Sequence, residues 1–475
     1  MTATSALIRD AWKPCDLRGV FPEAVSPALF HRIGRAVATL LPLSARFVVA
    51  GDYRLSTPDL KHALIDGLLQ SGAAVLDAGQ GPTPLAYFTA QQLHADAALI
   101  VTASHNPPQD NGLKLMINSV PTTPRQLSQI RDLAEGESFR LGAGSIESID
   151  LRNRYLNSML KRWVQLRGRR GRRVILDAGN GAWSELAPRL FRRLGFEVIC
   201  LSCKVDGSFP ERPADCARAE NLTRLSDAVR STDGAIGIAW DGDGDRAAFI
   251  DETGNYVSPD EIAILFARDA LAGMPSDTCK VVVDLKHSDA VRRAVLEAGG
   301  LPLLERTGHA FMRGRMVVEN ALLGLDACGH YFFQELEGGD DGLFSALYLL
   351  DLVRRSGRSL HELRDDLPRI FSTPELRIPV ATFEFADAAR ALQQAFPGAT
   401  TTTLDGLRLL LPEGVVLLRE SGTEHVLSLR IEGFDRPGFE NVHAQCISAL
   451  PSLAAFLHRE SEDVPTNRIQ ETNSN

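Results

Sequence analysis

The stretch that decides the reading is Ala97-Ala-Leu-Ile-Val-Thr-Ala-Ser-His-Asn-Pro107. A run of apolar residues closed by turn formers reads as a strand buried on both faces of a parallel sheet. Ser104 and His105 then fall in a loop beyond the carboxyl end of that strand, the edge at which open α/β sheets bind ligands. An ordinary Ser/Asn/Pro turn has the same local composition, so support must come from elsewhere in the chain.

That support begins upstream. Arg46-Phe-Val-Val-Ala50 is a short apolar strand, and Thr57-Pro58 after it reads as a helix cap followed by proline at the first helical position. Leu60, Leu64 and Leu68 recur at helical spacing as far as Gly72, as in an amphipathic helix with a C-terminal stop. Strands over 73–77 and 97–101 complete the unit. The plan returns with strands over 174–177, 196–201 and 235–240, and again over 281–284, 301–304 and 322–325. Strands alternating with helical patterns mean βαβ units with right-handed crossovers. Three similar doubly wound α/β domains are expected, over 1–150, 151–255 and 256–370.

Beyond about residue 370 the pattern changes. Short strands over 407–411, 415–418 and 427–431, flanked by helices near 386–395 and 436–449, predict a smaller α+β domain with an antiparallel sheet over 371–458. A linker near 371–374 would let it close over substrate. The polar tail, 459–475, reads as disordered.

A chain of 475 residues is too long for one hydrophobic core. Sixty acidic against 51 basic residues, a formal charge of -9, argue against a general nucleic-acid binder. The one strong basic run, 161–173, has aromatic interleaving only at Trp163 and reads as a helix end and interdomain linker. Residues 1–8 lack a secretory signal and no span is long and apolar enough for a membrane, so a cytoplasmic protein is expected. The seven scattered cysteines do not form a disulfide framework. Cys200 and Cys203, a single C-x-x-C without a second pair, read as structural thiols.

In each α/β copy the loop after the third strand carries unusual polar chemistry: Ser104-His105, Asp241-Gly-Asp-Gly-Asp245 and Asp326-Ala-Cys-Gly-His330. Three carboxylates packed so closely repel unless a cation sits among them. An EF-hand fits Asp241, Asp243, Asp245 and Glu252 but fails at its sixth position, where Arg246 replaces the required glycine, and its flanks are strands. Three aspartates with open coordination positions suit Mg²⁺ shared with a phosphate oxygen. In the last domain Arg419, Ser421, Gly422 and Thr423 make a donor-rich turn of the kind that holds phosphate. No P-loop or dinucleotide fingerprint occurs in a suitable place.

Taken together, Thr102-Ala-Ser-His-Asn-Pro107, Asp241-Gly-Asp-Gly-Asp-Arg246 and Arg419-Glu-Ser-Gly-Thr-Glu424 resemble the α-D-phosphohexomutases, and within them the bacterial phosphomannomutase/phosphoglucomutase group. The resemblance extends through Gly51-Asp-Tyr-Arg-Leu-Ser-Thr-Pro58, Pro82-Thr-Pro84, Asn111-Gly-Leu-Lys114, Lys286 and Thr307-Gly-His309. It implies a phosphoserine at Ser104, Mg²⁺ held by Asp241, Asp243, Asp245 and that phosphoserine, and a hexose 1,6-bisphosphate intermediate between hexose 1- and 6-phosphates, all in a cleft among the domains. Arg18, Lys114 and Arg246 would neutralise the transferring phosphoryl group, with Lys114, its pKa lowered by Arg18, as general base and His105 as the weaker candidate. A Ser104–His105 hydrolase pair is disfavoured because adjacent residues in an extended loop point apart. Arg419, Ser421, Gly422 and Thr423 would anchor the unreacting phosphate, and Lys286, His309, Asp326, Cys328 and His330 would contact sugar or phosphate. The sugar loop departs from the family pattern G-E-x-S-G-H: Asp326 is a methylene shorter than Glu, and Cys328 replaces a hydroxyl. Cys15, where the group often has Tyr, is a second departure. The alternatives are a phosphoglucosamine mutase and a catalytically weak sugar-phosphate-binding protein that keeps the fold. A monomer or weak homo-oligomer is expected.

Overall fold

A computed structural model describes residues 11–136, 138–167, 172–275, 278–379, 384–420 and 426–453. The chain divides into two compact units, one comprising residues up to 287 together with 291–367, the other 288–290 together with 368 onward.

The larger unit holds three sheets. The first contains β1 (Leu17–Val20), β2 (Arg46–Gly51), β3 (Ala74–Gln80), β4 (Ala97–Val101), β5 (Asp110–Ile117), the short β6 (Val120–Pro121) and β7 (Ser145–Ser148). Its order is β1-β5-β4-β2-β3-β7, with β4, β2, β3 and β7 mutually parallel, β5 antiparallel to β4, and β1 antiparallel to β5. Helices α1 (Pro27–Leu40), α2 (Thr57–Gln70), α3 (Thr83–Gln92) and α4 (Pro124–Glu135) connect the strands. Alternation along each strand explains why both faces are covered: Phe47, Val49, Leu99 and Val101 pack with α1, α2 and α4, whereas Val48, Ala50, Ala98 and Ile100 pack with α3.

The second sheet has α5 (Arg152–Arg162), β8 (Arg173–Asp177), α6 (Leu186–Leu194), β9 (Glu197–Leu201), α7 (Thr223–Arg230), β10 (Ile236–Trp240), β11 (Ala247–Ile250) and β12 (Tyr256–Val257), in strand order β12-β11-β10-β8-β9. The third has α8 (Pro259–Leu271), β13 (Lys280–Asp284), α9 (Asp289–Glu297), β14 (Leu301–Glu305), α10 (His309–Glu319), β15 (Leu323–Leu325), β16 (Tyr331–Phe333), β17 (Gly339–Asp340), α11 (Gly342–Ser356) and α12 (Leu360–Asp365), in strand order β14-β13-β15-β16-β17. All three therefore share one plan, three parallel strands in the order second, first, third, followed by an antiparallel fourth. The loop after each third strand lies at the carboxyl edge.

One local expectation is corrected. Ser56, not Thr57, is the N-cap of α2, and it makes no side-chain capping bond. The Thr57 hydroxyl donates instead to Asp52 Oδ1 at 2.7 Å, so it belongs to a buried network under the Ser104 loop.

The smaller unit is an antiparallel sheet of β18 (Phe371–Ser372), β19 (Leu376–Pro379), β20 (Thr400–Thr402), β21 (Leu407–Leu410), β22 (Gly414–Glu420) and β23 (Val426–Gly433), with α13 (Phe385–Ala395) and α14 (Arg436–Ala449). Leu409, Val416, Leu418, Leu429 and Ile431 pack against Leu392, Val442 and Cys446 of its helices. The tail, 459–475, lies outside the described residues. Among the described residues no helix is long and apolar enough to cross a membrane.

Candidate active site

The loop after β4 is held by a buried arginine. Arg54 Nη2 donates to the carbonyls of Ser104 at 2.8 Å and Asn106 at 2.7 Å, and Nη1 donates to the Asp110 carbonyl at 3.0 Å. Its charge is met by Asp52 at 3.1 Å, both side chains being fully buried. Asp52 also accepts from the Thr102 hydroxyl at 2.7 Å, and that oxygen receives the Ser104 amide at 2.9 Å. So fixed, Ser104 adopts a left-handed φ of 53°. This region is unfavourable for a residue with a Cβ and is retained where surrounding contacts over-determine it.

The left-handed turn overrides the expectation that Ser104 and His105 diverge. Ser104 Oγ lies 3.3 Å from His105 Nδ1 and donates to Asp241 Oδ2 at 2.8 Å. Burial, with Arg246 and Arg18 adding to it, pushes the His105 pKa well below that of a free imidazole, so the ring is neutral.

The aspartate loop reaches Ser104 because of its glycines. A Cβ on Gly242 would sit 2.5 Å from the Ser104 carbonyl oxygen, and Gly244 has a φ of +81°. Asp241 Oδ1 accepts the amides of Gly244 at 3.0 Å and Arg246 at 3.2 Å. Carboxylate oxygens of Asp241, Asp243 and Asp245 lie within 4.8 Å of one another, all buried. Burial and the neighbouring carboxylates of Asp243 and Asp245 push the Asp241 pKa up to about 7. Asp245 is shifted the other way, with the Lys114 ammonium acting against the effect of its burial. Asp243 Oδ1 and Asp245 Oδ1 have no hydrogen-bond partner. Converging, partly unpaired carboxylate oxygens suit a hard divalent cation.

Lys114, on β5, fills part of that demand. Its Nζ is 2.7 Å from Asp243 Oδ2 and bonded to Asp245 Oδ2. Burial and Arg18 act against its charge, but the two aspartates more than offset them and raise its pKa well above the ordinary lysine value. The expected lowering by Arg18 is thus reversed. Arg18 itself pairs with Asp16 at 2.8 Å and reaches Asn106 Oδ1 at 3.4 Å and the Ala103 carbonyl at 3.5 Å.

Arg246 and His330 join the second and third sheets. Their backbones form an antiparallel bridge, and Arg246 Nε donates to His330 Nε2 at 2.8 Å. Arg246 also lies 3.8 Å from Asp241 Oδ2. His309, at the start of α10, has Nε2 3.0 Å from the Tyr87 hydroxyl and 3.7 Å from Asp340 Oδ1. Burial lowers its pKa to about 4 against the opposing pull of Asp340. Lys286 follows β13 and donates its amide to Asp284 Oδ1 at 2.9 Å. Asp326 is buried, and its Oδ1 accepts the amide of Cys328 at 2.6 Å. Burial and Asp326 push the Cys328 thiol up to about 12.

Ser104, His105, Lys114, Arg18, the three aspartates, Arg246 and His330 are thus linked by short contacts, with His309 joined through Asp340. In the smaller unit, Arg419 Nε and Nη2 bond Asp405 Oδ2 at 3.0 and 2.6 Å. That carboxylate occupies part of the donor set expected to face phosphate. Ser421, Gly422 and Thr423 lie outside the described residues.

Residue-by-residue reading missed several supports. Thr83 clamps Asp243 twice, its hydroxyl donating to Oδ2 at 2.6 Å and its amide to the carbonyl at 2.9 Å. Arg54, Asp52 and Thr102 build the serine turn, and Asp340 contacts His330. The polar Gly51-Asp-Tyr-Arg54 at a strand end was the available signal for the first pair, since a buried strand terminus is a costly place for unpaired charge.

A buried hydroxyl against an acidic cluster that could hold a cation, with Arg18, Lys114 and Arg246 nearby at the edges of adjoining sheets, is a layout suited to phosphoryl transfer. The four sequence patterns described as phosphoglucomutase/phosphomannomutase alpha/beta/alpha domains I, II and III and C-terminal domain match residues 11–141, 153–254, 258–371 and 375–448. The chain belongs to the phosphoglucomutase/phosphomannomutase family. It is 34% identical to a phosphomannomutase/phosphoglucomutase of Pseudomonas aeruginosa, covering 93% of this chain and 96% of that one. It is also 34% identical to a phosphoglucomutase of Neisseria gonorrhoeae, covering 92% and 96%. The crystal structure of a phosphoglucomutase/phosphomannomutase family protein from Burkholderia thailandensis superposes with a TM-score of 0.85 at 33% identity, over 96% of this chain and 98% of that one.

Proposed function

We propose that the protein is a phosphohexomutase that interconverts hexose 1-phosphate and hexose 6-phosphate of glucose, mannose or both. The observation that carries the mechanism is the 2.8 Å contact of Ser104 Oγ with Asp241, inside a triad that keeps two buried oxygens unpaired. Phosphorylated Ser104 transfers its phosphoryl group to the free hydroxyl of the hexose phosphate: the Ser104 O–P bond breaks, a sugar O–P bond forms, and the hydroxyl proton leaves to a base. The hexose 1,6-bisphosphate then presents its other phosphate, which returns to Ser104.

Mg²⁺ held by Asp241, Asp243, Asp245 and the phosphoserine would supply fixed positive charge to the transferring oxygens. Arg246 and Arg18 add their guanidinium charge from either side of the serine turn. Lys114 carries its proton in the present arrangement, so its first role is charge; it serves as base only once Asp243 and Asp245 have another partner. His309 and Lys286 would meet the sugar or its second phosphate, and Arg419 with 421–423 would anchor the unreacting phosphate. A cytoplasmic location fits substrates of this class.

A coupled assay forming glucose 6-phosphate from glucose 1-phosphate, with catalytic bisphosphate and Mg²⁺, tests the proposal. Mannose 1-phosphate and glucosamine 1-phosphate run in parallel decide among the sugars. Turnover of none of them by protein phosphorylated at Ser104 would leave only the binding-protein reading.

A further inference from the structure

His330 is held at both ring nitrogens, by Arg246 at the end of the aspartate loop and by Asp340 of β17. Its Nδ1 lies 2.7 Å from Asp340 Oδ2, and its Nε2 lies 2.8 Å from Arg246 Nε. A guanidinium offers protons and no lone pair, so Nε2 must be bare and the ring proton must sit on Nδ1, aimed at the carboxylate. The opposite tautomer would set Nε2–H against the Arg246 N–H, donor to donor, in a buried place. Asp340 is itself fixed: it lies on β17 opposite Phe332 of β16 and is 1% exposed.

We propose that Asp340 is a positioning residue for phosphoryl transfer. By holding Nδ1–H it selects the tautomer of His330 whose Nε2 grips Arg246, and so sets the guanidinium beside Asp241, which in turn receives Ser104 Oγ. A carboxylate that fixes an imidazole tautomer, and through it a third group, is a recurring device, and its amide replacement impairs catalysis by installing the wrong tautomer. The groups facing the imidazole from other elements are Asp245, 3.5 Å from Nδ1, and His309 and Phe332, whose rings lie at 5.9 and 6.0 Å between centroids. Of these only Asp245 is an acceptor near Nδ1, and Asp340 is closer by 0.8 Å. The kinetic part of the proposal rests on the phosphohexomutase reading; the structural part does not.

The test uses the full chain labelled with ¹⁵N-histidine, with the His330 signal assigned by its loss in His330→Gln. The wild-type ring should carry its proton on Nδ1. In Asp340→Asn, whose amide can donate to Nδ1, the signal should move toward the Nε2–H form. Turnover should fall about 10- to 100-fold while KM for hexose phosphate changes less than about threefold. Asp340→Glu, which keeps an acceptor, should restore the Nδ1–H signal and part of the rate. An Nε2–H proton in the wild type overturns the proposal whatever the variants do. So does an unchanged tautomer in folded Asp340→Asn, or a loss that appears in KM alone. If the wild type turns over no hexose phosphate, the functional reading fails while the ring-proton result still decides the role of Asp340.

Discussion

The loops after β4 and β10 and the loop after β15 occupy the same place in three copies of one topology, yet they use their polar groups in opposite ways. The first two are bonded to each other through Ser104 and Asp241, and from beside them Lys114 on β5 binds Asp243 and Asp245 and Thr83 at the start of α3 binds Asp243. In the third, the carboxylate of Asp326 turns back on its own loop and accepts the Cys328 amide, while the loop meets the second sheet through His330 and through the Gly329 carbonyl, which accepts the Ala247 amide at 3.1 Å. A corner built by contacts between sheets is preorganised, because each side chain is over-determined by groups that cannot move with it. A loop closed on itself fixes its own shape but directs little toward a ligand. On the proposed function, phosphoryl transfer falls mainly to the first two copies, with His330 of the third steadying Arg246, and the reading of the sugar falls to Asp326 and Cys328.

The sharpest way to break this comparison is to remove the hydroxyl at its centre. Ser104→Gly eliminates the nucleophile and also relieves the left-handed strain at φ 53°. Turnover should fall at least about 10³-fold, with no phosphate found on residue 104 by mass spectrometry, while the thermal midpoint stays within a few degrees. A variant that keeps its rate would remove Ser104 from the mechanism.

Next in size is the cost of crowding three carboxylates. With its folded pKa raised to about 7, Asp241 is favoured in the protonated form by the fold, whereas in the unfolded chain it ionises near the ordinary carboxylate value of 3.8. The metal-free protein is therefore not penalised by this group below about pH 4; the penalty grows as pH rises and is complete above about 7. Asp241→Asn should raise the thermal midpoint of the metal-free protein at pH 8, change it little at pH 4, and weaken Mg²⁺ binding. Calorimetry at the two pH values and a Mg²⁺ titration check all three. A lower midpoint at pH 8 would mean that Asp241 is stabilising and that the cluster is not built for a cation.

A smaller effect is expected at Thr83, which ties the start of α3 to the aspartate loop without being one of the charged groups. Thr83→Val keeps the shape and removes the hydroxyl that donates to buried Asp243 Oδ2. Leaving that acceptor short of a partner should cost about 1–3 kcal/mol of stability, read by denaturant unfolding. Mg²⁺ affinity should fall about tenfold. Unchanged stability would show that Lys114 alone suffices to hold Asp243.

The same comparison explains what the sequence could and could not disclose. Apolar runs such as 97–101 and 281–284 are continuous because both sheet faces are covered, so the strands and the loops at their ends were legible. The Asp-Gly alternation of 241–245 was legible as a cation site because like charges at that spacing have few other uses. What stayed hidden depends on contacts between distant residues. Thr83 and Asp243 are 160 positions apart, and nothing local marks Thr83 as a clamp. The charge state of Lys114 was misjudged because Arg18 was weighed without the two aspartates that dominate it. The Ser104–His105 geometry was misjudged because an extended loop was assumed where Arg54 and Thr102 impose a left-handed residue.

The smallest effect belongs to the third loop, and it tests whether recognition really is separable from chemistry. Asp326 is 1% exposed and capped by the Cys328 amide, and the Cys328 thiol, with its pKa pushed up to about 12, remains a neutral and weak donor. If this loop faces the sugar, it should discriminate weakly between epimers that differ in one hydroxyl direction. Replacing Asp326 by Glu lengthens a carboxylate that now closes on the Cys328 amide and should turn it outward. Cys328→Ser supplies a stronger donor. The double variant Asp326→Glu/Cys328→Ser should therefore change the ratio of kcat/KM for mannose 1-phosphate against glucose 1-phosphate by about three- to tenfold, the scale of a single net hydrogen bond. The phosphate content of Ser104 and its pH profile should not move. If turnover with both sugars falls in step instead, Asp326 and Cys328 act on the transfer corner as His330 does, and the division of labour within the third loop does not hold.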